Sequence, residues 1–95
     1  MKKIKTSEWN ILDHLKTEQD IAGYLDAALE ENDFEFFLTA LGDASKARSI
    51  NKIAKEIGVG RESLYKSLSG KTRPNAETVF KAINALGLKI SISPK

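Results

Sequence analysis

The sequence contains no cysteine, which excludes disulfide bonds and cysteine-ligated metal sites. His14 is the single histidine, so no second imidazole and no thiolate completes a metal-ligand set with it. We therefore expect a structural or surface role for His14 and predict neither a metal nor a cofactor. No apolar run approaches the ~20 residues that a membrane-spanning helix needs, so we predict no membrane association.

Motifs of common catalytic and nucleotide-binding sites are also missing. No glycine-rich phosphate-binding pattern occurs in the sequence. The carboxylates of residues 26–35 are spaced like a solvated helix face, and no nucleophile accompanies them. The basic N-terminus, MKKIKTSEW, is not followed by an apolar signal core. We therefore predict a cytoplasmic protein that is not an enzyme.

Charge is divided unevenly along the chain. Residues 1–43 carry ten acidic residues against four lysines, whereas residues 44–95 carry eleven lysines and arginines against three acidic residues. The basic half suits a phosphate backbone, and DNA would repel the acidic half. The split predicts two partners, a nucleic acid and a basic protein. An acidic face that only keeps the chain soluble is the alternative.

Hydrophobic periodicity predicts a single domain over residues 1–95 with five helices. Residues 1–16 form an N-terminal segment, and residues 17–48 form an acidic pair of helices at about 18–31 and 34–47. A helix-turn-helix at 50–69 has helices at 51–57 and 61–68, and the segment 75–87 contains a helix at 76–86. The predicted helix caps are Thr17, Asn32 or Asp33, Asn51 or Ser49, and Asn75.

The apolar residues at helical spacing are the predicted core. In the first two helices they are Ile21, Leu25, Ala28, Leu29, Phe37, Ala40, Leu41 and Ala44. In the last helix they are Val79, Ala82, Ile83 and Leu86. Phe34, Phe36 and Phe37 are expected in core and interface packing. The anchors of the N-terminal segment are Trp9, Ile11, Leu12 and Leu15.

The end of the chain has a different period. Leu88, Ile90 and Ile92 alternate with polar residues, which predicts a short β-strand over residues 88–93 after Gly87 stops the last helix. A lone strand has unpaired backbone groups and needs a neighbour. That neighbour is either residues 2–6 or a second subunit, and we expect a homodimer.

Residues 50–69 have the spacing of a helix-turn-helix. Two short helices that cross at a three-to-four-residue turn come very close, so the first helix needs the small Ala54 at the crossing. The turn needs a residue that tolerates positive φ, which Gly58 provides. The predicted packing residues are Ile53, Ala54, Ile57, Gly58, Leu64 and Leu68.

Such a motif leaves one face of its second helix free for the major groove of double-stranded DNA. The predicted base contacts are Arg61, Glu62, Ser63, Tyr65 and Lys66. The predicted phosphate contacts are Lys52, Lys55, Lys71 and Arg73. Two alternatives remain open: Tyr65 packs beside Leu68 at the helix crossing, or Glu62 only complements the helix dipole.

The segment INKIAKEIGVGRESLYKSLSG resembles the helix-turn-helix of Cro/C1-type (Xre) repressors. More narrowly, residues 13–33, 35–48, 53–70 and 85–92 resemble HigA-like antitoxins of addiction modules. The resemblance implies a mainly α, five-helix bundle of the lambda-repressor type. It also implies an autorepressor that binds operator DNA and neutralises a RelE-like toxin, an mRNA-cleaving basic protein. We expect the toxin to contact the acidic half at Asp26, Glu30 and Glu31.

Three positions depart from the pattern of the family that the sequence resembles. Phe34 replaces a frequent proline, Gly60 replaces a frequent serine or threonine, and Ser49 replaces a frequent glycine. Two other functions fit the same motif. One is a stand-alone phage-type repressor without a toxin partner, and the other is a protein-interaction module whose helix-turn-helix no longer reads DNA.

Overall fold

The computed structural model describes residues 10–69, 71 and 73–95, and these form five α-helices after a short 3-10 helix at Ile11–His14. The helices confirm the predicted number and nearly the predicted ends. They are α1 (Glu18–Glu30), α2 (Phe34–Ala47), α3 (Ile50–Ile57), α4 (Arg61–Ser67) and α5 (Ala76–Ala85).

A capping box starts α1. The Thr17 hydroxyl accepts a hydrogen bond from the Asp20 N–H at 3.0 Å, and the Asp20 carboxylate accepts one from the Thr17 N–H at 3.1 Å. The same carboxylate accepts from the Lys16 N–H at 3.1 Å. These backbone donors, that of Lys16 first, hold the pKa of Asp20 below its usual value.

The structure decides the two caps that the sequence left open. The Asp33 carboxylate, rather than Asn32, caps α2 by accepting from the Phe36 N–H at 3.2 Å. Ser49, rather than Asn51, caps α3. Asn32 has φ 58 and Ser49 has φ 88, so both turns use left-handed backbone. Asparagine tolerates that region, whereas serine adopts it at a cost in free energy.

Helix α2 lies at the centre of the bundle and packs against the 3-10 helix, α1, α3 and α5. Its buried face and those of α1 and α5 supply most of the core. The buried hydrophobic residues are Leu15, Ile21, Leu25, Ala28, Phe37, Leu38, Ala40, Leu41, Ala44, Ile53, Ala54, Leu64, Leu68, Val79, Ala82, Ile83 and Leu86. Ile11 packs partly buried against this core, and Trp9 lies outside the described residues.

Three predicted core or packing positions are exposed. Leu29 keeps 57% of its surface accessible because it lies at the edge of the stripe formed by Ile21, Leu25 and Ala28. Phe34 and Phe36, in the first turn of α2, are also about half exposed. Only Phe37 of the three phenylalanines is buried. The sequence period alone does not show where an apolar stripe stops being covered.

The predicted strand at 88–93 is not seen. Among the residues that the structure describes, 88–95 have neither helix nor strand, and none of residues 89–95 makes a backbone hydrogen bond. A strand needs a hydrogen-bonded neighbour, and residues 2–6, the neighbour considered within the chain, lie outside the described residues.

Candidate nucleic-acid interface

A tight turn joins α3 to α4. Gly58 has φ 79 and ψ 31, which is the left-handed conformation of a helix C-cap. Its N–H donates to the Lys55 carbonyl at 3.3 Å, and the Val59 N–H donates to the Ala54 carbonyl at 3.0 Å. This is the Schellman pattern of hydrogen bonds, and it reverses the chain within three residues.

The turn determines which face of α4 is buried. Helices α3 and α4 pack against each other, and Ile53 and Ala54 of α3 and Leu64 of α4 are buried. Leu68 is buried just after α4. Ile57 is only half-buried. The crossing therefore consists of small and aliphatic side chains, and it fixes the rotation of α4 about its own axis.

The opposite face of α4 points to solvent. The five predicted base-contacting residues are all exposed: Arg61, Glu62, Ser63, Tyr65 and Lys66. Tyr65 keeps 52% of its surface accessible, so about half of this side chain faces solvent. Gly60 is the N-cap of α4 and provides no side-chain hydrogen bond. The first turn of α4 therefore presents free N–H groups beside Arg61.

A groove of about 580 Å³ runs between α2 and this face of α4. Asp43 and Lys46 line it from α2, and Glu62 and Tyr65 line it from α4. The Lys46 Nζ lies 4.8 Å from the centre of the Tyr65 ring, which is a cation–π contact. No sequence signal points to Lys46, because no spacing along the chain relates a residue of α2 to one of α4.

Gly42 allows α2 and α4 to approach this closely. A β-carbon at position 42 would lie 3.0 Å from the Leu68 carbonyl oxygen and 3.6 Å from the Leu68 β-carbon. The contacted atom is backbone, so it has little freedom to move. Glycine in the middle of α2 therefore costs helix propensity but positions the end of α4.

The predicted phosphate-contacting residues are exposed but lie on different elements. Lys52 and Lys55 belong to α3, whereas Lys71 and Arg73 lie between α4 and α5. Lys52 also lines a polar pocket of about 300 Å³ with Arg48 at the start of α3. Arg48 forms an ion pair with Glu18 at 3.5 Å, so part of its charge is compensated.

The acidic residues predicted to meet the toxin, Asp26, Glu30 and Glu31, are exposed on α1 and at its end. A separate contact ties this helix to α2. The Tyr24 hydroxyl donates to the Asp43 carboxylate at 2.9 Å. Burial, helped by this hydrogen bond and by the charge of Asp43, raises the pKa of Tyr24 to about 12.

Within residues 10–69, 71 and 73–95, no three His, Cys, Asp or Glu side chains converge as a metal site would require. In the same residues no helix is long and apolar enough to cross a membrane. The exposed polar face of α4, with basic residues beside it, is the strongest concentration of candidate binding groups in this part of the chain.

A comparison with protein-family models identifies one family. A family model described as a probable addiction module antidote protein matches residues 5–94. A protein of Haemophilus influenzae, itself described as uncharacterized, is 40% identical over 85 residues, which span 90% of this chain and 88% of the relative. No solved structure gives a significant match. Because the family model covers nearly the whole sequence, the chain belongs to the family of probable addiction module antidote proteins.

Proposed function

We propose that this protein is a HigA-like, DNA-binding antitoxin of a type II toxin–antitoxin system. It represses its own operon through α3 and α4, and it neutralises a RelE-like toxin. Membership in the antidote family supports a toxin partner. The DNA-binding part of the proposal rests on the orientation of α4. Leu64 is buried, whereas Arg61, Tyr65 and Lys66 face solvent.

The exposed face of α4 has the chemistry that the major groove selects. Arg61 is at the first position of the helix and is suited to bridge guanine O6 and N7. Tyr65 offers a hydroxyl to a phosphate and a ring to a thymine methyl group. Lys52 and Lys55 on α3, and Lys71 and Arg73 after α4, are exposed cations available for the DNA backbone.

A homodimer would place two copies of α4 on two half-sites of one operator. The end of the chain supplies a means of association. Residues 89–95 make no backbone hydrogen bonds within the described chain, and Ile92 is 93% exposed. Pairing of residues 88–93 with the same segment of a second copy would satisfy those backbone groups.

The salt dependence of DNA binding tests the electrostatic part of this proposal. About six phosphate contacts per complex predict that the logarithm of the association constant falls with the logarithm of salt concentration with a slope of roughly −5. Fluorescence anisotropy with labelled duplex DNA measures this slope. A slope near zero contradicts a binding mode built on lysine and arginine contacts to phosphates.

Co-expression with the open reading frame adjacent to this gene tests the antitoxin half. With a tag on this protein only, affinity capture and native mass spectrometry report partner and stoichiometry together. We expect a stable complex, and we expect the neighbouring protein alone to be toxic. A lone homodimer beside a harmless neighbour contradicts the antitoxin assignment and leaves a stand-alone repressor of the phage type.

A further inference from the structure

An open cleft of about 540 Å³ lies between α1 and the chain that follows α5. We call it the α1 cleft. One wall consists of Ala22, Gly23, Asp26 and Leu29 from α1, and the other consists of residues 87–91. Its floor is the edge of the hydrophobic core, formed by Leu25, Phe37 and Ile83. The α1 cleft is separate from the groove beside Tyr65, with which it shares no lining residue.

The second wall is held in place by the end of α5. Gly87 has φ 85 and turns the chain towards α1, where a β-carbon at position 87 would lie 2.5 Å from the Glu18 carboxylate. The Leu88 N–H donates to the Ile83 carbonyl at 3.3 Å, and Leu88 packs against the core. Contacts of Gly87 and Leu88 therefore anchor the start of the second wall.

The mouth of the α1 cleft is apolar and uncovered. Leu29 is 57% exposed on one wall and Ile90 is 49% exposed on the other. Each side chain contributes to the cleft and still presents about half of its surface to solvent. An apolar side chain inserted between them would remove both surfaces from water, which is favourable in proportion to the apolar area buried.

The charge of the residues around the α1 cleft indicates which kind of molecule binds it. Helix α1 contains no lysine or arginine, and residues 17–45 contain eight acidic residues and no basic residue. Asp26 lines the cleft from α1, and Lys89 is the one basic residue among the lining residues. Glu30 and Glu31 follow Asp26 at the end of the helix. Among the described residues, none of these three carboxylates forms an ion pair. DNA would be repelled by this surface, whereas a basic protein would be attracted.

We propose that the α1 cleft is the docking site for the toxin, a basic protein that inserts an apolar side chain between Leu29 and Ile90. Lysine or arginine side chains of the toxin pair with Asp26, Glu30 and Glu31 at the rim. This inference rests on the proposed antitoxin function and names the surface that performs it. The apolar contact provides affinity, and the acidic rim provides orientation and rapid association.

Gly23 offers a test that spares the fold. A β-carbon at this position would meet no atom within 4 Å, and Gly23 lines the cleft, so we expect a larger side chain here to project into it. We expect Gly23→Leu to weaken binding of the protein encoded by the adjacent open reading frame by about tenfold or more, measured by isothermal titration calorimetry. Ala27→Leu is the matched control, because Ala27 is exposed on the same helix but does not line the cleft.

The possible results separate the two levels of the proposal. If the neighbouring protein does not bind the wild-type chain, the antitoxin function itself is wrong. If it binds the wild type, Gly23→Leu and Ala27→Leu with equal affinity, the antitoxin function stands and the α1 cleft is not the docking site. If Gly23→Leu instead turns a dimer into a monomer in sedimentation equilibrium, the occupant is a second copy of this chain, which also overturns the inference.

Discussion

The Nζ of Lys46 lies 4.8 Å from the centre of the Tyr65 ring, so α2 reaches across to the exposed face of α4. An exposed cation–π contact is worth ~0.5–1 kcal/mol, enough to bias the orientation of a half-exposed tyrosine. Lys46 also adds a positive charge beside the proposed DNA-reading face. It thus has two expected roles, positioning Tyr65 and attracting the phosphate backbone.

We predict that Lys46→Met weakens DNA binding several-fold and lowers the magnitude of the salt slope by about one. Methionine keeps the length of the side chain but removes the charge, so the loss reports the cation rather than packing. Anisotropy titrations at several salt concentrations give both quantities. Tyr65→Phe keeps the ring and is expected to lose only the hydroxyl contact. A wild-type salt slope for Lys46→Met would contradict the phosphate role.

Ser49 holds a backbone conformation that glycine adopts more readily. A φ of 88 lowers the stability of the folded state by on the order of 1 kcal/mol when the residue has a β-carbon. The Ser49 hydroxyl caps α3 by accepting a long hydrogen bond, 3.4 Å, from the Lys52 N–H. Glycine loses only a few tenths of a kcal/mol as an N-cap. We therefore expect Ser49→Gly to raise the free energy of unfolding by about 0.5–1 kcal/mol in urea denaturation. Ser49→Ala, which keeps the β-carbon and loses the cap, should lower it.

Gly42 and Gly23 are expected to respond to alanine with opposite signs. Alanine at 42 would press its β-carbon to 3.0 Å from the Leu68 carbonyl oxygen, and such overpacking costs ~1–3 kcal/mol. The gain in helix propensity, up to ~1 kcal/mol, does not offset that cost. Alanine at 23 meets no atom within 4 Å and gains the propensity alone.

Thermal unfolding of the two variants measures this difference. We expect Gly23→Ala to melt above the wild type and Gly42→Ala to melt below it. Gly42→Ala should also bind DNA more weakly, because it displaces the end of α4. Equal stabilisation by both substitutions would mean that α2 and α4 approach less closely than the structure indicates.

The raised pKa of Tyr24 predicts that the folded state loses stability at alkaline pH. Its pKa is raised from 10.0 to about 12 in the folded chain, mainly by burial and then by the hydrogen bond to Asp43. The folded state therefore disfavours the phenolate, and stability that is fully present below pH 10 is lost as the pH rises towards 12. Urea denaturation between pH 9 and 12 measures the slope. Tyr24→Phe should flatten it, and an unchanged slope would place its origin elsewhere.

Much of this fold could be predicted from the sequence because the local signals agree with one another. Helix starts are marked by the capping residues Thr17 with Asp20, Asp33 and Asn75. Helix ends are marked by Gly58 and Gly87. The crossing of α3 and α4 follows from the spacing of Ile53 and Leu64. Each of these features depends on residues close together in the chain. All five helices were therefore placed correctly.

Features that depend on distant residues could not be read in this way. Periodicity places Leu29 in the core, because it does not reveal that the α1 cleft lies beside this residue. Lys46 and Tyr65 meet across two helices with no sequence signature. The alternation at Leu88, Ile90 and Ile92 indicates an extended chain, but a strand also requires a neighbour, which the alternation does not supply.

The central claim is that the exposed face of α4 reads DNA, and the most direct measurement is the affinity for the promoter region upstream of this gene. Anisotropy titrations compare the wild type with Arg61→Ala and with Lys81→Ala. Lys81 is a matched control because it is an exposed cation on α5, where it pairs with Glu77 at 3.2 Å. We expect Arg61→Ala to weaken the free energy of DNA binding by ~1–3 kcal/mol and to relax the preference for one base pair. We expect Lys81→Ala to bind DNA like the wild type. Equal affinities for all three proteins, or no binding by the wild type, would contradict the claim.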